Sequence, residues 1–260
     1  MRRLTKIFLV IIATVCSPVT SHCDDVNDLL TRTSKQVSSF LELFSDVKCT
    51  EQVRQEKLGE NKKVELKTES TFDYLVILTN SGGELNLDES RLAVHEAKED
   101  KRKTSLLVTN GFATLFLIFH PYYSNGFQFT MLEDELVDGR RFRKVAFQHI
   151  AGSRSPAALA LRGREYPLEL SGTALIDPDS GIITHITASV EDTMQDVGVR
   201  TLHADVQYAP VQFRELKSAY WFPADVVVEV ETARQHWRNT HHFSDYKRFS
   251  VSTEEQVAKQ

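Results

Sequence analysis

The sequence predicts an α+β protein, a large antiparallel β-sheet with one face wet and the other covered by helices. Three observations predict it. Residues 24–44 repeat their apolar positions at helical spacing, and residues from Phe127 onward alternate with the period of strands. Between them stands a short, unusually apolar segment near residues 110–119 that reads as a second helix. There is no internal repeat, low-complexity stretch or linker, so residues 24–260 are expected to form a single β-rich domain.

The chain opens on a segment of a different kind. Arg2, Arg3 and Lys6 precede the apolar run Ile7–Cys16, no acid occurs, and small polar residues (Ser17-Pro18-Val19-Thr20-Ser21) follow. That is the build of a secretory signal, too short to span a bilayer as a permanent helix. Residues 1–23 are therefore read as a signal peptide cleaved near Ser21, and the mature chain as exported without a transmembrane span. The periplasm is the expected compartment, with an extracellular or outer-membrane-associated location as the alternative. His22 before Cys23 is a poor fit to a lipidation site, and Arg2-Arg3 lacks the flanks of a twin-arginine signal.

The signal carries three of the 31 basic residues and none of the 36 acids, which leaves the remainder at −8 with histidine neutral. An acidic chain is a poor partner for nucleic acid or for an anionic membrane surface. After cleavage near Ser21 only Cys23 and Cys49 would remain. In an oxidising compartment a Cys23–Cys49 disulfide is the favoured reading, worth about 3.5 kcal/mol in the chain-entropy model. The alternative is that Cys23 leaves with the signal and Cys49 is a buried small hydrophobe.

Each element has its own signature. Val26, Leu29, Leu30, Val37, Phe40, Leu41 and Phe44 form one stripe of an amphipathic helix over roughly residues 25–45, with Asp24, Asp25 and Asp28 at its positive end. A strand is expected over Val47–Leu58, then the turn Gly59-Glu60-Asn61, then a strand near Val64–Leu78 apolar on both faces. Ser81-Gly82-Gly83 breaks the pattern, and the charge run Glu96–Lys103 reads as a solvated loop. Asn110 is a helix cap for Phe112, Leu115, Phe116 and Phe119, and Pro121 ends that helix.

Asp138-Gly139 is the turn of a hairpin between Phe127–Leu132 and Phe142–Ile150. Tyr166, Leu168 and Leu170 alternate as a further strand, followed by the turn Asp177–Gly181. Residues 182–190 and 202–208 alternate cleanly, as do Val226, Val228 and Val230, and Gln235–Phe249 forms the last strand.

Candidate chemistry is sparse. His236, His241 and His242 invite a metal, but on a strand His241 and His242 point to opposite faces, and His236 and His242 lie about 20 Å apart. No metal site and no cofactor are expected. There is no Gly-x-Ser-x-Gly elbow, and Cys49 at a helix-to-strand junction reads as structural, so no catalytic residue is assigned. Glu133-Asp134-Glu135 reads as solvated acids before a turn. Arg140-Arg141-Phe142-Arg143-Lys144 with Arg162 and Arg164 reads as strand and loop decoration, or as a cradle for an anionic headgroup. The aromatic supply, 15 Phe, 7 Tyr and 2 Trp, fits a core. It also fits the lining of an apolar groove under a sheet, for which Phe112, Leu115, Phe116, Phe119, Trp221 and Trp237 are the candidates.

Several local motifs resemble those of an uncharacterised family of secreted bacterial proteins. They are Cys49-Thr50-Glu51, Asp73-Tyr74-Leu75, Glu89-Ser90-Arg91, His120-Pro121-Tyr122-Tyr123, Arg162–Leu168 and Trp237-Arg238-Asn239. More loosely, Ile176-Asp177-Pro178, Gly181-Ile182, Tyr220-Trp221-Phe222-Pro223 and Phe243-Ser244-Asp245-Tyr246 with Phe249 are similar to the periplasmic lipoprotein-carrier superfamily of LolA, LolB and RseB type. That resemblance implies a strongly curved sheet, a half-barrel whose concave face is covered by the two helices and can hold lipid chains. The long N-terminal helix, the expected disulfide and the loop Ala151–Arg164 depart from the carriers.

The expected function is an exported, non-enzymatic binding protein holding a lipid or other hydrophobic ligand in an apolar concavity. The alternative is a structural or sensory envelope module that binds another protein through its sheet face. An envelope hydrolase ranks below both.

Overall fold

The computed structural model describes residues 22–81, 84–94, 108–161, 164–191, 194 and 198–249. The signal segment, the charge run Glu96–Lys103 and the side chain of Cys23 lie outside the described residues. In chain order the elements are α1 (His22–Phe44), β1 (Val47–Leu58), β2 (Val64–Ser81), β3 (Glu84–Ala93) and β4 (Val108–Asn110). A 3₁₀ segment (Leu115–Phe119), α2 (Pro121–Ser124), β5 (Phe127–Met131), β6 (Glu135–Val137) and β7 (Arg140–His149) follow. Then come β8 (Ala158–Leu161), β9 (Arg164–Pro167), β10 (Ser171–Ile176), β11 (Ile183–Glu191), β12 (Val199–Val211), β13 (Tyr220–Thr232) and β14 (His236–Arg248).

Eleven strands form one curved antiparallel sheet in the order β3-β2-β1-β14-β13-β12-β11-β10-β7-β5, with β6 paired to the start of β7. The sheet stays open, because its edge strands β3 and β5 do not meet. Strands β10 to β14 add in succession through short turns, and β1 then pairs with β14 and carries β2 and β3 outward. A separate small sheet joins β4, β8 and β9.

The covered face holds one core. From α1, Leu29, Thr33, Val37, Leu41 and Phe44 are buried, the three- and four-residue repeat that a helix needs to seat one face. The sheet meets them with the alternate residues of its strands, such as Leu202, Ala204, Val206 and Tyr208 from β12 and Val226, Val228 and Val230 from β13. Burying each large apolar side chain contributes about 1.5–3 kcal/mol, so the period-2 pattern decides which face faces in.

Several expectations need correction. The second helix is a five-residue 3₁₀ segment, and Phe112–Phe119 is buried on every side rather than along one stripe. Pro121 does not end a helix but begins α2, where His120 Nδ1 caps the Tyr122 N–H at 3.1 Å. In β2 only the inner face is covered: Tyr74 and Val76 are buried while Ile77 is exposed. The alternation at Tyr166, Leu168 and Leu170 stops being a strand after Pro167, although Leu168 and Leu170 are both buried. Strand β3 had no clear signature, and residues 158–161 of the expected loop form β8.

The Cys23–Cys49 disulfide is not formed, and Cys49 is a free, buried thiol. The helix explains why. Cys23 sits at the far end of α1, and the 21 residues to Phe44 span about 30 Å at 1.5 Å per residue. A disulfide needs Cα atoms within about 7 Å.

Candidate functional site

A cavity of about 340 Å³ lies between α1, the 3₁₀ segment and the sheet. Val37 and Phe40 form its helical wall, and Phe116 enters from the 3₁₀ segment. Ile183 and Tyr208 rise from the sheet, and Trp221 closes one side. Gln36, Ser218 and Ala219 are exposed members of the lining, so the cavity opens to solvent between α1 and the stretch before β13. Among the described residues no charged side chain lines it.

Local sequence explains how the walls stand. The turn between β10 and β11 is held by Asp177, whose Oδ1 accepts from the Ser180 N–H at 2.8 Å and the Ser180 hydroxyl at 2.7 Å. Its other oxygen takes the Arg140 guanidinium. Burial would raise the Asp177 pKa, but the Ser180 hydrogen bonds and Arg140 outweigh it and hold the carboxyl below its usual range. Gly181 follows at φ +74°, and a Cβ there would stand 2.9 Å from the Thr33 backbone nitrogen. The Asp177-to-Gly181 motif therefore lets α1 approach the turn closely. On the opposite wall Phe40 packs edge-on against Phe116 at 5.0 Å and Phe222 at 4.9 Å between centroids.

Of the six aromatic and aliphatic candidates, the structure brings two to this cavity, Phe116 and Trp221. Leu115 is wholly buried in the core. Phe119 packs on Phe129 and Phe147, toward the β5 edge. Trp237 lies near the start of β14, its Nε1–H donating to Gln235 at 3.3 Å, away from the cavity. Sequence reasoning passed over Val37, Phe40 and Tyr208. Their signals were present: Val37 and Phe40 lie on the helical stripe, and Tyr208 is the one hydroxyl at the end of an otherwise aliphatic alternation.

Phe112 belongs to a second, opposite kind of site. Glu51 on β1 is fully buried, and Arg91 on β3 grips it with two hydrogen bonds, Nε at 2.7 Å and Nη2 at 3.1 Å. Arg91 also reaches Glu89 Oε2 at 3.1 Å, and His241 Nδ1 lies 2.8 Å from Glu51 Oε1. Glu89 in turn accepts the Gly111 N–H at 3.3 Å, tying the start of the Phe112–Phe119 segment to the sheet. The Arg91 guanidinium stands 5.2 Å from the Tyr74 ring centroid.

Strand register makes this cluster. Tyr74 pairs with Arg91, Val76 with Glu89 and Cys49 with Tyr74, so all point to the covered face. Three of the six local motifs, those around Glu51, Tyr74 and Arg91, thus converge. Burial pushes the Glu51 pKa up, but the His241 and Arg91 hydrogen bonds more than offset it and the carboxyl titrates below its ordinary value. Burial drives Tyr74 upward, keeping the phenol neutral. The crevice above, between Arg91, Phe112, Ala113, Val226, His241 and Phe243, is too tight for a water molecule. The network is built to hold a segment down.

The outer face carries cross-strand polar pairs: His185 with Asp205 at 3.1 Å, Ser189 with His203 at 3.0 Å, and Arg238 with Glu229 at 2.7 Å. His242 pairs with Asp225 on this face and His241 with Glu51 on the other, as strand geometry requires. Among the described residues no group of three or more His, Cys, Asp or Glu side chains is placed to hold a metal. No helix of the described residues is long and apolar enough to cross a membrane.

Comparison with solved structures finds chains of similar arrangement and very low sequence identity. One similar structure is a putative outer membrane lipoprotein-sorting protein domain from Vibrio parahaemolyticus, 11% identical, TM-score 0.39, covering 89% of this chain and 93% of that one. Another is a DUF1329 family protein from Desulfovibrio piger, 10% identical, TM-score 0.45, covering 89% of this chain and 95% of that one. No protein-family model matches the chain, and no curated protein does.

Proposed function

We propose that the protein is an exported, non-enzymatic binding protein of the cell envelope, with the periplasm as its place of work, that holds an apolar chain in the cavity under α1. The cavity carries this reading. Its volume of about 340 Å³ falls at the lower end of the ~300–1,000 Å³ typical of small-ligand sites. Its lining of Val37, Phe40, Phe116, Ile183 and Trp221 rewards apolar surface, and it opens to solvent at one mouth. The signal-like segment Arg2–Ser21 supports export, and the acidic balance disfavours nucleic acid.

Native mass spectrometry of the mature chain after incubation with bacterial lipid extract tests the reading. Wild type is expected to retain one lipid, and Val37→Phe, which fills the cavity from α1, is expected to lose it while folding normally. A wild-type protein that retains nothing would overturn the proposal.

A further inference from the structure

Exposure along the lining gives the cavity a direction. Gln36, Ser218 and Ala219 are exposed at the mouth, Phe40, Ile182 and Trp221 are half-buried, and Val37, Phe116 and Ile183 are buried. A guest with a polar head therefore keeps that head at the mouth, beside water, Gln36 and Ser218, and sends its apolar end inward.

Phe116 closes the inner end. Its ring bridges the two walls, packing edge-on against Phe40 of the helix at 5.0 Å and against Tyr208 of the sheet at 6.3 Å between centroids. Phe44 touches it at 6.1 Å, yet Phe44 is buried and takes no part in the lining, so it stands behind the ring. Phe44 in turn packs on Tyr74 and Phe222, the aromatic core. Leu115 and Leu117 are buried away from the lining as well, which leaves one ring of the cover segment between cavity and core.

The volume limits what fits above that ring. At roughly 30 Å³ per methylene, close to a water molecule's share of the liquid, the cavity takes one chain of about eleven carbons rather than the paired chains of a diacyl lipid.

We propose that the ligand is a single-chain amphiphile and that Phe116 is the stop for its terminal methyl, so that this ring sets the preferred chain length. The inference rests on the cavity being the ligand site, and it adds the class of ligand and the residue that measures it. Phe116→Ala opens on the order of 100 Å³ at the inner end, room for about three more carbons.

Affinity per carbon reads the stop directly. Each buried methylene adds about fourfold in affinity, and the gain ends once the methyl meets the floor and further carbons stay in water. Dissociation constants are measured at pH 8 for straight-chain fatty acids of eight to eighteen carbons, by displacement of a fluorescent fatty acid. In wild type they are expected to improve up to about twelve carbons, the carboxyl included, and then to level off. Phe116→Ala is expected to move that point about three carbons longer, and Phe116→Leu about one. Phe119→Ala removes an equally buried ring of the same segment, one that packs on Phe129 and Phe147 away from the cavity, and is expected to keep the wild-type point.

A Phe116→Ala protein that binds and levels off at the wild-type length overturns the role of Phe116 while leaving the cavity as a ligand site. An equal shift in Phe119→Ala overturns it too and shows a general loosening of the cover. If circular dichroism finds Phe116→Ala unfolded, Phe116→Leu decides, and an unchanged length there overturns the stop. Wild type that binds no fatty acid but retains a diacyl phospholipid overturns the single chain, and wild type that retains neither overturns the ligand site itself.

Discussion

Phe112 and Phe116 stand four residues apart in one buried segment, yet they meet different chemistry. Phe112 lies over the Glu51–Arg91–Glu89–His241 network, in a crevice with no room for water. Phe116 looks into an uncharged cavity of about 340 Å³. The contrast shows a division of labour along the cover. Ionic hydrogen bonds fix one end of the segment through the Gly111 N–H, so that the other end can stand over empty apolar space without the cover collapsing into it. A cavity costs packing energy at one end of the segment, and the network supplies geometric restraint at the other.

Arg91→Ala is the largest way to break this comparison. It leaves Glu51 and Glu89 buried without their cation, and removing one member of a buried pair costs about 3–5 kcal/mol. Urea unfolding should show that loss, and Arg91→Met combined with Glu51→Gln should recover part of it, since the uncompensated Glu51 charge is then gone. A loss under about 1 kcal/mol for the single variant would mean the network is not what anchors the cover.

Acid is the next test. Glu51 titrates below its unfolded-state value of about 4.3, so its contribution is complete above that pH and disappears as pH falls through the lower folded-state pKa. Each unit of depression is worth about 1.4 kcal/mol. Asp177, Asp205 and Glu229 are also lowered, the first and last by hydrogen bonds that outweigh burial and Asp205 chiefly by His185, and they add a background slope of the same sign. Glu51→Gln should flatten the curve by Glu51's share alone. Ligand retention, which depends on an uncharged lining, should stay level from about pH 5 to 8 while wild-type stability is compared over the acid range. A retention curve that follows the Glu51 titration would show the two ends coupled.

The two regions were not equally legible from the sequence. Alternation in β11 to β14 and the α1 stripe told which residues face in, because burial of one face fixes both patterns. The turn Asp138-Gly139, with both residues at positive φ, was legible for the same local reason. The ion network was not. Glu51, Arg91 and His241 are separated by 40 and 150 positions, and only the closing of β14 on β1 and the addition of β3 bring them together. The motifs marked those residues without saying that they meet. The apolar segment misled in a different way: eight successive buried positions carry no helical period, so a helix pattern read from Phe112, Leu115, Phe116 and Phe119 used half the buried set.

The cavity end yields a smaller effect on stability. Val37→Phe should change unfolding free energy by less than about 1 kcal/mol, of either sign, because the added ring enters space already open beside Phe40 and Phe116. Thermal melts measure this against Arg91→Ala. A loss approaching that of the network variant would show that the helical wall, rather than the cavity, was disturbed.

Cys49 supplies the smallest effect and separates the two regions most finely. It sits on β1 opposite Tyr74, beside Tyr246, whose hydroxyl donates to the Pro223 carbonyl at 2.6 Å. Burial pushes the Cys49 thiol up to about 12, against the smaller lowering effect of Tyr246, so no thiolate forms at neutral pH. Dithiothreitol should therefore leave the melting temperature unchanged, where loss of a disulfide would lower it. Iodoacetamide at pH 8 should label Cys49 only when urea opens the sheet. If the ionic end is the tighter of the two, labelling in Arg91→Ala should begin at a lower urea concentration than in Val37→Phe, since loss of the Arg91 hydrogen bonds to Glu51 loosens the covered face of β1 two residues from Cys49. Equal labelling midpoints in the two variants would mean that β1 opens only with the whole sheet, and that the cover is held by packing common to both ends.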